Sequence, residues 1–269
     1  MRARLIALAL LALPAPALGE PNLEGFWNLA FDSSTRDPAL IAKLPPGTVV
    51  IEDTGVVEFP EDEYGGLRLT PEAQARADAW APADEFALDR VCLPPSIVYA
   101  IQGPFPFEVH QTPELIVFQY EYFDQHRLVF MDGREHPPAD APHTKMGHSI
   151  GRWDGDELVI DTTHIAASTI TNNGLDHSDG IHMVERYKLS PDGGRLVATQ
   201  WFEDPTVLEN TGARFIEWRK QAGQYVLPYE CDPSFALEYR QAGEEGECTP
   251  SRSAPSSGRY VLHPRSTGR

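Results

Sequence analysis

The chain is expected to be mainly β, an antiparallel meander that closes into a barrel or a strongly bent sheet. Three observations lead there. From Phe107 to Cys231, short segments rich in Val, Ile, Thr and aromatic side chains follow one another, a composition that suits a pleated, half-buried surface. Turn residues separate them: Thr112-Pro113-Glu114, Asp154-Gly155, the run from Ser190 to Gly194, and Gln221-Ala222-Gly223. Only one stretch, at Thr70, carries the full signature of a helix start.

In chain order, residues 1–19 read as a secretory signal peptide. Arg2 and Arg4 give the positive start, Leu5 to Leu13 the apolar core, and Ala17 and Gly19 the small residues before Glu20. The apolar run is too short to span a bilayer, and no later one is long enough. A single β domain is expected over 20–240, followed by a disordered tail over 241–269 whose Gly, Ser, Glu and Pro content cannot build a core. Within the domain, Thr48 to Phe59 reads as one or two short strands. Thr70-Pro71-Glu72 starts a helix running to about Trp80, with Thr as N-cap and Pro at the first helical position. Residues 81–105 are a Pro-rich connection with a strand around Ser96 to Ile101. Strands are then expected at 107–112, 115–123, 126–131, 148–153, 157–165, 181–189, 195–204, 213–220 and 224–231.

The hairpin around Asp154-Gly155 organises the rest. A two-residue turn there needs positive φ, which Asp-Gly tolerates. It places Arg152 opposite Glu157 as a cross-strand ion pair, and His148 opposite Asp161. A longer turn would instead set His148 against Thr163 and Ile150 against Asp161.

Charge and cysteines restrict the setting. The formal net charge of −18 repels nucleic acid and anionic membrane surfaces, so neither is an expected partner. With the leader and no Asn-x-Ser/Thr acceptor, a periplasmic or secreted location is expected. Three cysteines, Cys92, Cys231 and Cys248, in an oxidising compartment imply one disulfide and one remaining thiol. Spacing alone does not give the pairing. Cys248 lies in the tail, which favours Cys92–Cys231.

Connection lengths point to a site. Short turns at 124–125, 154–155, 190–194 and 221–223 alternate with long connections at 132–147, 166–180 and 205–212. In a meander the long connections gather at one end, a usual place for binding. Seven of the nine histidines fall at that end: His110, His136, His143, His148, His164, His177 and His182. The expected catalytic groups are His148, Asp161 and His182, with the carboxylate orienting the imidazole for acid–base work. His182 and Glu185 alternate across one strand; His182 is expected to point inward, leaving Glu185 for ion pairs. Tyr120, Tyr122, His110 and Trp201 are the expected substrate contacts. No cofactor is predicted; the alternative is a divalent metal on His148, His182, His164 and His177. If His148 faces outward, the His148–Asp161 dyad fails, and the site is to be sought on the other face of the hairpin, around Ser149, Thr162 and His164. Gly147-His148-Ser149-Ile150-Gly151 matches the G-x-S-x-G pentapeptide, but a hairpin follows where the hydrolase elbow needs a helix.

Two resemblances add to this. Leu23-Glu24-Gly25-Phe26-Trp27 resembles the Gly-x-Trp start of lipocalin-like barrels, which implies a Trp plugging one barrel end. PFEVHQTPELIVFQYEY, GHSIGRWDGDELVIDT, HMVERY and FEDP resemble a large, mostly uncharacterised family of secreted bacterial β-rich proteins, over about residues 90–232. Cys92 and Cys231 match cysteines of that family, which implies that they pair. Taken together, the chain is expected to bind a small apolar or aromatic molecule under its long loops and to act on it by His/Asp proton transfer, of lyase, isomerase or hydratase type. A non-catalytic periplasmic binding module and a metal-dependent hydrolase are the alternatives. Oligomeric state is not legible.

Overall fold

The computed structural model describes residues 20–30, 36–52, 58–85, 87–234 and 236–237. The expected leader and the expected tail lie outside the described residues. In order, the elements are β1 (Gly25–Leu29), α1 (Pro38–Ile41), β2 (Val49–Val50), α2 (Pro71–Asp78), α3 (Pro82–Glu85), α4 (Ile97–Ala100), β3 (Phe107–Gln111), β4 (Leu115–Tyr120), β5 (His126–Phe130), β6 (His148–Asp154), β7 (Glu157–Thr163), β8 (Ser168–Thr171), β9 (Leu175–His177), β10 (His182–Leu189), β11 (Arg195–Glu203) and β12 (Gly212–Lys220). Nine strands close a mixed barrel in the order β1-β3-β4-β5-β6-β7-β10-β11-β12, with β12 pairing back onto β1. β2 adds in parallel to the start of β12.

Local chemistry explains α2. The Thr70 side chain accepts from the Ala73 N–H at 3.3 Å, Pro71 opens the helix, and Ala73 and Ala77 are its buried face. The expected strand at Ser96 to Ile101 is instead the single helical turn α4, whose residues are all buried. β-branched composition alone did not decide it, because a fully buried short apolar run suits either form. Of the expected strands at 48–59, the described residues contain only β2; 53–57 lie outside them. The long connection over 166–180 also holds a hairpin, β8–β9, that the sequence reading did not anticipate.

The meander is broken once, where β5 and β6 run parallel with Val129 beside Ser149. Residues 131–147 make the return, long enough for a parallel connection. This places the 121–125 turn at the same end as the start of β6. Short and long connections therefore do not separate cleanly by end, as a pure meander would require. The three connections expected to be long, at 132–147, 166–180 and 205–212, still lead to the His182 end, where β6 and β10 start and β7 and β11 finish.

The barrel is packed, not hollow. Inward rows from β1, β3, β4, β10 and β12 bring together Trp27, Phe107, Phe118, Tyr187 and Trp218, each no more than 1% exposed. Phe107 meets Phe118 at 5.7 Å and Trp218 at 5.4 Å between ring centroids. Trp27 lies in this core and donates from Nε1 to the Leu23 carbonyl at 2.9 Å. Among these rings is an ion pair: Arg127 on β5 and Glu185 on β10 are both fully buried. Arg127 also donates to Ser149 at 3.0 Å and Thr162 at 2.7 Å, and the Tyr187 hydroxyl donates to Glu185 at 2.8 Å. Burial works against the guanidinium charge, and the Glu185 carboxylate more than restores it. A buried pair of this kind stands only with its remaining hydrogen bonds filled.

No strand forms over the expected 224–231. β12 already pairs with β11 on one side and β1 on the other, so no open edge remains there. The segment runs instead as a strap across the barrel end. Glu121 accepts from the Leu227 N–H and Asp124 from the Tyr229 N–H, each at 3.0 Å. Tyr229 packs against Phe105 and Phe123, and the expected Cys92–Cys231 disulfide closes the strap. Among the described residues, no helix is long and apolar enough to cross a membrane.

Candidate functional site

The β6–β7 hairpin turns one residue later than Asp154-Gly155. Asp154 pairs with Glu157, so Gly155 and Asp156 are the central residues. Gly155 has φ +67 and Asp156 is not in the positive-φ region. A glycine at the first central position alone is the pattern of a II′ turn. His148 therefore stands opposite Thr163, and Ile150 opposite Asp161. Arg152 pairs with Val159, so the expected Arg152–Glu157 ion pair is not formed; buried Glu157 takes Lys43 at 2.6 Å and Arg186 at 3.2 Å. The register moves by two positions, and an even shift preserves faces. His148 and Asp161 remain on one face, now as diagonal neighbours.

That face is the outer wall. Ser149, Leu158, Ile160 and Thr162 point inward and are completely buried. On β10 the inward positions are Met183, Glu185 and Tyr187, so Glu185 is the inward residue and His182 points outward. This reverses the expected assignment of the pair. The reason lies on β5: Arg127 is inward and fixes Glu185 as its counter-ion. The other face of the hairpin, the alternative place for a site, is occupied by the same network. Ser149 and Thr162 are bound to each other and to Arg127, and they line no open site.

On the outer wall the histidines assemble around Asp161. His182 Nε2 lies 3.0 Å and His136 Nε2 3.1 Å from Asp161 Oδ1. His136 and His148 meet Nδ1 to Nδ1 at 3.0 Å. His182 Nδ1 faces Glu203 at 3.5 Å. His148 thus reaches Asp161 through His136, not by direct contact as the sequence suggested. The wall supplies four of these groups, His148, Asp161, His182 and Glu203, by register, since His182 sits opposite Glu203 and Val184 opposite Asp161. The 131–147 connection supplies the fifth, His136, and covers the group: His136, Asp161 and His182 side chains are only 21–33% exposed. Arg134 lies 3.7 Å over the Phe130 ring, and Phe130 stacks on His148 at 5.3 Å, which fastens the loop beside the site.

Electrostatics separate the members. Burial, helped by His136, His164 and Arg134, lowers His148 below the usual imidazole range. The hydrogen bond to Asp161 raises His182 against its burial. Burial alone would raise Asp161, but His182 and His136 together outweigh it and hold the carboxyl below its ordinary value. Near neutral pH the group therefore holds a neutral imidazole, a carboxylate and a second imidazole that retains its proton more readily. Environments that push paired groups apart in this way make acid–base assignments possible.

Beside His182 the wall opens into a depression of about 170 Å³ lined by Leu44, Pro45, Val184, Thr199, Arg186, Lys43 and Trp201. Trp201 meets the His182 ring edge-on at 5.8 Å. A larger hollow of about 340 Å³, lined by Leu189, Val197 and Phe215, lies farther along the wall.

Of the expected substrate contacts, Trp201 alone joins this group. Tyr120 is inward in the core, where burial raises its hydroxyl well above the tyrosine range. Tyr122 lies past the end of β4 and stacks on Phe105 at 4.8 Å. His110 is exposed on the outside of β3. The alternative metal set does not assemble either. His164 binds the Pro138 carbonyl at 2.9 Å and Thr163 at 2.8 Å. His177 is buried against Ser96 at 2.7 Å. Among the described residues, no group of three or more His, Cys, Asp and Glu is disposed to hold a metal ion. His136 and Glu203 were missed as members of the site. His136 carried only the weak signal of lying in a long histidine-bearing connection. No protein-family model matches the chain, and no curated protein matches it.

Proposed function

We propose that the protein is exported to the periplasm or the exterior, binds a small apolar or aromatic molecule on the outer wall beneath the 131–147 connection, and moves a proton on it. His148 is the base, Asp161 the carboxylate that anchors the group, and His182 the protonated imidazole that balances Asp161. Trp201 and Val184 supply the apolar contact. Reactions of lyase, isomerase or hydratase type suit such a site, because they require proton transfer and no nucleotide. One observation carries this reading: three imidazoles and a carboxylate are linked by contacts of 3.0–3.1 Å beside an aromatic-walled depression. The disulfide and the resemblance to secreted bacterial proteins support export.

The test is hydrogen–deuterium exchange at carbon. Wild-type protein and His148→Ala are incubated in D₂O with a panel of small aryl and alkenyl carbonyl compounds, and label uptake is followed by NMR. Enzyme-dependent uptake that falls by about 10²-fold or more in His148→Ala is expected, the range of a lost general base. Binding without uptake, equal in both proteins, would make the chain a non-catalytic binding module. Elemental analysis of the purified protein tests the metal reading: a stoichiometric transition metal would displace the proposal.

A further inference from the structure

We infer that His136 is the positioning residue through which Asp161 acts on His148, and that the proton-accepting atom of the site is His148 Nε2. This rests on the acid–base reading above and goes one step further, to a single atom and its tautomer.

The assignment follows from what each atom can donate. An ionised carboxylate only accepts, so both imidazole nitrogens facing Asp161 Oδ1, His136 Nε2 at 3.1 Å and His182 Nε2 at 3.0 Å, carry hydrogen. A neutral imidazole has one N–H. With its hydrogen on Nε2, His136 presents a bare Nδ1, and this atom lies 3.0 Å from His148 Nδ1. Two lone pairs at that distance repel, so His148 holds its hydrogen on Nδ1 and donates it to His136. Neutral His148 is then left with a bare Nε2. Among the described residues no hydrogen bond reaches that nitrogen. His182 contrasts with it: both its nitrogens face carboxylates, Asp161 and Glu203, so it holds a proton and offers no lone pair.

Protonation of His148 at Nε2 leaves the Nδ1–H bond to His136 unchanged. The new positive charge is met by the polarised His136 ring and, behind it, by Asp161. The proton leaves the substrate and resides on His148 Nε2, and it returns from there to the product. The groups that bear on His148 charge are His136 and Arg134 from the connection and His164 after β7; Asp161 on β7 is linked to it through His136. His136 is not on the barrel, so the 131–147 connection decides whether the chain of contacts exists. The Arg134–Phe130–His148 stack fixes that connection at the required place.

Imidazole ¹⁵N–¹H correlation spectra of the full chain, recorded across pH 5–8, test the assignment without any substrate. His148 is expected as the Nδ1–H tautomer, the less common form in water, with Nε2 unprotonated. In His136→Ala the His148 population should invert toward Nε2–H. His136→Asn places a carbonyl acceptor near the lost Nδ1 and should restore Nδ1–H. An Nε2–H tautomer in the wild-type protein, or a His148 tautomer unchanged in His136→Ala, overturns the inference. Absence of carbon exchange with a confirmed Nδ1–H tautomer would remove the proposed reaction and leave this assignment standing, so the two failures are told apart.

Discussion

At the scale of single residues, the buried polar groups have set roles, and His177 offers a clear test. Its Nδ1 donates to the Ser178 carbonyl at 2.8 Å, which leaves Nε2 to accept from the Ser96 hydroxyl at 2.7 Å. Ser96 is completely buried and His177 nearly so. A second proton would place a full charge in this buried setting, and burial pushes the imidazole down to about 4. The unfolded chain titrates near 6.5. Between these values the unfolded state binds more protons than the folded one, so stability falls as pH drops from about 6.5 toward 4. A depression of this size is worth on the order of 3 kcal/mol at the acid end of the window. His182, raised by Asp161, acts in the opposite sense: its contribution is present at low pH and lost as pH rises through its folded value. Comparison with His177→Gln isolates the first effect. The urea midpoint of the wild-type protein should fall more steeply between pH 6.5 and 4 than that of the variant. Parallel pH profiles would mean that His177 is protonated without cost.

At the scale of elements, the junction of β5 and β6 is where the barrel departs from a meander, and Gly151 is the residue that permits it. It lies on the inward face of β6, opposite Ile160. A Cβ there would stand 2.4 Å from Met131 Sδ and 2.8 Å from Val129 Cγ1. Met131 is flexible enough to move; Val129, fully buried on β5, is not. Gly151→Ala is therefore expected to cost about 1–3 kcal/mol by overpacking, read as a lowered denaturation midpoint. A variant as stable as the wild type would show that β5 and β6 are not in close contact at this point. The sequence showed a glycine here only as part of a pentapeptide that resembles a hydrolase motif. Its meaning comes from the neighbouring parallel strand, which no local pattern announced.

At the scale of the whole molecule, the strap over 221–234 joins the last barrel strand to the Pro-rich segment before β3. It is held by Glu121, Asp124, a group of aromatic rings and the Cys92–Cys231 bond, which spans a sequence separation of 139. Phe123 and Asp124, beneath it, both take positive φ, at 56° and 51°. A conformation of this kind costs a residue such as Phe123 about 1–2 kcal/mol, while Asp adopts it more readily. Closing so long a loop should stabilise the fold by roughly 3–5 kcal/mol in the chain-entropy model. Cys92→Ser/Cys231→Ser is expected to lose stability of that order while keeping the outer-wall histidine group, whose strand members are held by their own ladders and whose His136 is held through the Arg134–Phe130–His148 stack. Equal midpoints for the variant and the oxidised parent would show that the strap contributes nothing to folding.

The composition of the tail favoured Cys92–Cys231 without fixing it; the sequence by itself determined the β class, the capped helix at Thr70, most strand positions, the placing of His148 and Asp161 on one face of their hairpin and the gathering of His182 at the same end of the sheet. These rest on local chemistry: β-branched composition, an N-cap, turn residues, and the period-two alternation that an even register shift leaves intact. Only the tertiary structure decided which side that is. Strand alternation divides residues into two faces but does not say which face the barrel encloses when both carry polar and apolar groups. The choice was made by Arg127, whose inward position requires Glu185 inside and so sends His182, with Asp161 and His148, to the outer wall. The same structure alone brought His136 to Asp161, because the path of residues 131–147 depends on a parallel strand pairing set by contacts far apart in the chain.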